Sequence, residues 1–154
     1  KIYWFQAVEH IELCNIRTKN HLKTNRYKIG EKMTPLETVE AFISSLEKKD
    51  VDSAIALLHE DCEYDNVPMG KVFGSDAVKE MLGPMIENCS NVDWPTHRSS
   101  STGNLVFNER LDRFEMGGNW IEIPVCGVWE VVDGKITLWR DYFDLATYRD
   151  QLPK

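Results

Sequence analysis

The 154-residue chain has four cysteines, but Cys14, Cys62, Cys89 and Cys126 include no Cys-x-x-Cys pair. His10, His21, His59 and His97 likewise form no His-x-x-x-His spacing. These absences argue against a zinc centre and leave reduced thiols as the expectation. Neither Gly-x-x-x-x-Gly-Lys nor Gly-x-Gly-x-x-Gly occurs, so the common nucleotide-phosphate loops are missing. No metal and no cofactor are expected. No apolar run approaches membrane-spanning length, and no charged start, apolar core and cleavage site marks a signal peptide. The expected compartment is the cytoplasm.

Basic charge is also scarce where a nucleic-acid ligand would need it. Residues 1–32 carry 7 Lys and Arg against 3 Asp and Glu, whereas residues 33–154 carry 11 against 22. A main domain of net charge −11 cannot offer the clustered cations that phosphate binding requires, so a neutral organic partner fits better. At 42% hydrophobic and 28% charged residues, the composition is that of a globular domain. Its length supports one core.

Residues 1–32 form a leader or extension set apart from a single domain over 33–154. Tyr3-Trp4-Phe5 and the basic stretch Arg17 to Lys32 read either as upstream or vector-derived sequence or as a functional arm, with Met33 a candidate start. Thr34-Pro35-Leu36-Glu37 then carries the signature of a capping box. Leu36, Val39, Phe42, Ile43 and Leu46 follow helical spacing, and a second helix is expected to hold Ile55, Leu57 and Leu58. Cys62, Tyr64 and Asn66 alternate on a strand stopped by Pro68 and Gly70. A third helix is expected from Ser75, kinked or broken at Gly83-Pro84.

From Val92 onward the pattern is one of strands, divided by turns at Thr102-Gly103-Asn104, Gly117-Gly118-Asn119 and Asp133-Gly134. A short helix is expected over Leu145 to Gln151. Helices first and a curved sheet later give an α+β domain without internal repeats.

Within this pattern Arg110, Asp112 and Phe114 share one strand face, and Trp139, Asp141 and Phe143 share another. A carboxylate among large apolar side chains is costly to ionise unless compensated, and a guanidinium can serve two such acids at once. Acids so bridged titrate as a coupled unit, one favouring a proton while the other stays ionised. From spacing alone such a trio is as good a structural ion network as a catalytic one. Face matching nominates an apolar wall of Phe114, Ile123, Val125, Trp139 and Phe143 from strands, with Ile43, Leu46, Leu82 and Met85 from helices. Arg140, Tyr142 and Asp144 alternate away from Asp141 and read as structural or interface residues.

Four runs carry a resemblance: Tyr64-Asp65-Asn66-Val67-Pro68-Met69, Asn108-Glu109-Arg110-Leu111-Asp112, Gly127-Val128-Trp129, and Gly134 to Asp144. In them the chain resembles the limonene-1,2-epoxide hydrolases. That resemblance implies a cone-shaped fold like that of nuclear transport factor 2 and ketosteroid isomerase, with a curved, mainly antiparallel mixed sheet against N-terminal helices. It implies Asp141 as general base, Asp112 as general acid, Arg110 bridging them, and Tyr64 and Asn66 holding a water. The implied partners are a small apolar epoxide and water, and the implied assembly is a homodimer.

The segment linking Asp112 to Asp141 is a little shorter than in the limonene enzymes, which leaves monoterpene and larger lipid-like epoxides both open as substrates. Two other readings compete. One is a ketosteroid isomerase or polyketide cyclase relative, since the same fold hosts proton shuttling at carbon. The other is a non-catalytic binding or dimerisation module.

Overall fold

The computed structural model describes residues 32–152. The expectations for the leader, Lys32 apart, fall outside these residues. Helix α1 (Pro35–Glu47) starts as its sequence dictates. The Thr34 hydroxyl accepts from the Glu37 amide at 3.2 Å, and the Glu37 carboxylate accepts from the Thr34 amide at 2.8 Å. The reciprocal bonds satisfy two otherwise orphaned donors. The helix then buries Val39, Phe42, Ile43 and Leu46 on one side.

Helix α2 (Val51–Ile55) is shorter than its apolar pattern predicts. Leu57 lies in the following turn and Leu58 opens strand β1 (Leu58–Asn66). The run of leucines therefore feeds a buried strand. Strand β2 (Gly70–Phe73) is a further element that the pattern does not announce. Pro68 and Gly70 do end β1, but Gly70, at a φ of 128°, turns the chain back into an antiparallel hairpin.

Helix α3 (Ser75–Asn88) is not broken at Gly83-Pro84 but continues past the pair as one helix. Pro84 removes the bond to the carbonyl of residue 80, yet Pro84 and Glu80 both lie on the exposed side. Val78, Leu82 and Ile86 keep the opposite side buried.

Strands β3 (Asn91–Asp93), β4 (Thr96–Thr102), β5 (Leu105–Met116), β6 (Asn119–Val132) and β7 (Lys135–Tyr142) complete the sheet, and α4 (Leu145–Arg149) follows. The strand order is β2-β1-β7-β6-β5-β3, with β4 also paired to β5. All pairings are antiparallel except β1 with β7, which is parallel and sets Tyr64 beside Trp139 and Asn66 beside Asp141. The result is a curved, open α+β sheet. Helix α1 packs over β5, β6 and β7, and α3 over β1 and β2. Among the described residues no helix is long and apolar enough to cross a membrane.

Candidate active site

Strand alternation and register together bring the acids of β5 and β7 to the inner face. On β5 every second residue from Val106 to Phe114 is buried, which puts Asn108, Arg110, Asp112 and Phe114 on this face, and on β7 the buried residues include Trp139 and Asp141. Arg110 donates from Nε to Asp112 Oδ1 at 2.9 Å and from Nη2 to Asp112 Oδ2 at 3.0 Å. The same Nη2 reaches Asp141 Oδ2 at 2.9 Å. One guanidinium thus binds one acid through a two-pronged fork and a second acid through a single prong.

Aromatic rings surround the charges. The guanidinium carbon lies 5.5 Å from the ring centre of Trp94 and 5.4 Å from that of Trp129. Trp139 stacks on Tyr64 at 3.9 Å and on Trp129 at 5.1 Å, and its indole N–H donates to Asp141 Oδ2 at 2.7 Å. Asp141 Oδ2 therefore takes two donors. Asp141 Oδ1 is buried without a partner, as is Asn66 Oδ1 on the neighbouring strand.

Burial is the dominant influence on Asp141 and lifts its carboxyl to about 6; Arg110 pulls the other way and Asp112 adds to the rise. Burial also works against the charge of Arg110, but the fields of Asp141 and Asp112 overcome it and hold the guanidinium proton more firmly than usual. Burial, then the negative charge of Asp141, keeps the Tyr64 phenol protonated well above its ordinary range.

A cavity of about 150 Å³ opens beside the trio, several times the space a single water needs. Tyr64, Asn66, Asp112 and Asp141 border it, and so do Leu82, Met85, Phe114, Ile123, Val125 and Phe143 from the expected apolar wall. Arg110 stands behind the acids, with its side chain fully buried.

Ile43, Leu46 and Trp139 do not border the cavity and are corrected to core positions. Their faces point inward as expected. Leu46 is consumed by packing, and Trp139 is enclosed by Tyr64, Trp129 and Phe42.

Sequence reasoning missed Met69, Met81, Trp94, Met116, Ile121 and Tyr148 as lining residues. Met81 lies four residues before Met85 on α3, a spacing that could have found it. Among the described residues no three His, Cys, Asp or Glu side chains are grouped as metal ligands.

Comparison with known proteins matches residues 33–154 to the family of the limonene-1,2-epoxide hydrolase catalytic domain. Epoxide hydrolase EphG of Mycobacterium tuberculosis is 38% identical over 107 residues, covering 70% of this chain and 71% of that protein. A solved M. tuberculosis LEH-like epoxide hydrolase shares 36% identity, with a TM-score of 0.70 over 77% of this chain and 88% of that one. A protein from Catenulispora acidiphila with a ketosteroid isomerase-like fold has a TM-score of 0.68 at 20% identity, over 79% and 96% of the two chains, a likeness of fold alone. The architecture is that of the nuclear transport factor 2-like proteins, and the chain belongs to the limonene-1,2-epoxide hydrolase family.

Proposed function

We propose that the protein adds water to an apolar epoxide in one step, giving a vicinal diol. The observation that carries this reading is the pair of unpartnered buried acceptors, Asp141 Oδ1 and Asn66 Oδ1, on adjacent strands beside an acid held by the same arginine. A water molecule has two hydrogens to give such a pair.

In this scheme one water hydrogen goes to Asp141 Oδ1 and the other to Asn66 Oδ1, and the Tyr64 phenol helps to hold the oxygen. The water attacks an epoxide carbon as its proton passes to Asp141. The ring C–O bond breaks, and its oxygen takes a proton from Asp112. Water has then been added across the bond, leaving Asp141 protonated and Asp112 ionised until the two exchange a proton.

A base near 6 is ionised at neutral pH yet far more basic than an ordinary aspartate, which suits general-base work. Arg110 compensates one negative charge of the pair, and the apolar substrate displaces water around the other. Net charge in a drier cavity is more costly, so substrate binding favours the single proton that the acid must carry. The remaining wall binds by excluding water.

Single-turnover reaction in ¹⁸O-labelled water tests this directly. One label in the first diol formed, with none formed by Asp141→Asn, supports the scheme. An unlabelled first diol would mean that the oxygen came from an enzyme carboxylate, and no diol from any epoxide in a broad panel would remove the hydrolase reading.

The assembly proposed is a homodimer through the outward face of the sheet. Phe107, Cys126 and Tyr142 are exposed there, and the strand register sets Phe107 beside Val128 and Cys126 beside Tyr142. Light scattering on the wild type and Phe107→Lys would read one or two chains.

A further inference from the structure

We infer that Asn108 is a positioning residue for this reaction: a neutral acceptor that fixes the guanidinium of Arg110 between its two acids, in a space that Gly127 keeps open. The inference rests on the hydrolase reading. Arg110 Nη1 donates to Asn108 Oδ1 at 2.9 Å, and the Trp129 indole N–H donates to the same oxygen at 3.1 Å. With Nε and Nη2 committed to Asp112 and Asp141, all three guanidinium nitrogens are tied. The plane of the fork is therefore defined from both sides.

Register explains why this needs a glycine. Asn108 on β5 lies opposite Gly127 on β6, and Gly127 lies opposite Asp141 on β7. Arg110 must cross β6 to reach from its own strand to Asp141, and it crosses at Gly127. A Cβ at this position would fall well inside contact distance of Asn108 Oδ1, Arg110 Nη1 and Trp129 Nε1. Gly127 has no positive φ, so space alone, not backbone freedom, is what the position requires.

The choice of an amide also has an electrostatic reason. The titratable groups gathered around Arg110 are Asp112 on β5, Asp141 on β7 and Tyr64 on β1, while α1 presents the phenyl ring of Phe42 to the stacked tryptophans. Two carboxylates already exceed the single positive charge. A third at position 108 would hold Arg110 equally well by geometry but would increase the proton affinity of the acids. Asparagine supplies the acceptor without the charge. Asn108 does not border the cavity, so its effect falls on the acids and not on substrate contact.

The test uses Asn108→Ala and Asn108→Asp in the full chain. For Asn108→Ala, kcat should fall roughly 10-fold to 100-fold, as misplacing a catalytic group does, with KM within about twofold. For Asn108→Asp, the acid limb of the kcat profile should move up by about one pH unit or more. Carbon-13 titration of the Asp141 carboxyl should show the same upward movement without any turnover. Unchanged kcat in the alanine variant, or an unmoved Asp141 titration in the aspartate variant, overturns the inference. A wild type that forms no diol but whose titration still moves in Asn108→Asp defeats the hydrolase reading and leaves the electrostatic role of Asn108 standing.

Discussion

Two clusters in which one arginine binds two carboxylates lie on opposite faces of the sheet at β7, and the outer one also holds Lys71. On the inner face Arg110 binds Asp112 and Asp141; on the outer face Arg140, the residue before Asp141, binds Asp65 at 2.7 Å and Glu63 at 3.0 Å. Lys71 also reaches Glu63 at 2.7 Å and Asp65 at 3.3 Å, so the outer acids meet two cations where the inner pair meets one. Lys71 and then Arg140 hold Glu63 below its ordinary range, because their hydrogen bonds outweigh the cost of its partial burial. Asp141 moves up, because burial outweighs its arginine. Burial and the balance of charges together separate a cluster that keeps its acids ionised from one that pushes an acid towards its proton.

Removing each arginine should separate the two most sharply. Arg110→Met leaves two buried carboxylates facing one another without a cation, and should cost about 3–5 kcal/mol of stability together with all turnover. Arg140→Met should stay folded with kcat within about twofold. Urea melts and a diol assay read both, and equal damage from the two would break the comparison.

Next come the acids. Asp112→Asn and Asp141→Asn should each lower kcat about 100-fold to 10,000-fold, whereas Asp65→Asn should change it little. Asn at 141 still offers an oxygen to Arg110 and Trp139, and Arg110 remains balanced by Asp112. Asp141→Asn should therefore melt no lower than wild type at pH 7, trading activity for an uncharged interior.

Titration should then show opposite signs for the two faces. Asp141 is raised from 3.8 to about 6 by folding, so the stability linked to its proton is complete below about pH 4 and lost as pH rises through about 6. Glu63 is lowered from 4.5, so its contribution is present above that value and lost as pH falls through its folded value. Unfolding free energies of wild type minus Asp141→Asn should improve on acidification from pH 7 to 4, while those of wild type minus Glu63→Gln should worsen. The activity profile should rise through an acid limb near pH 6.

The smallest effect is that of salt. At 1 M the screening length is about 3 Å, so the half-buried Arg140–Glu63–Lys71 contacts should weaken while the kcat of the enclosed site changes little.

Much of the inner cluster was legible because alternation fixes which side chains share a face, and Arg110, Asp112, Asp141, Tyr64 and Asn66 all fall on strands. What alternation cannot say is whether an inward residue meets another side chain or an open space. Ile43, Leu46 and Trp139 point inward and are consumed by packing, whereas Met69 borders the cavity from an exposed turn that no core pattern selects, and Met81 from the exposed flank of the apolar face of α3. Trp94 was hidden for a different reason. It sits just beyond the three-residue strand β3 and packs edge-on against Phe114, a long-range contact with no local periodicity. β2 and the intact α3 escaped because Gly70 and Pro84 act through their surroundings: one starts a hairpin, and the other sits where its missing bond faces outward.

The parallel pairing of β1 with β7 joins positions 75 residues apart, as the Arg140 to Asp65 bond shows. Asn66 and Asp141 become neighbours only when the last strand returns to the first, so a chain in which β7 is made but undocked carries both acids of the inner cluster without the site that the proposed reaction needs. In a refolding experiment, recovery of activity should therefore lag behind the pairing of β5 with β6 and coincide with the stacking of Trp129 on Trp139, which needs β7 in place.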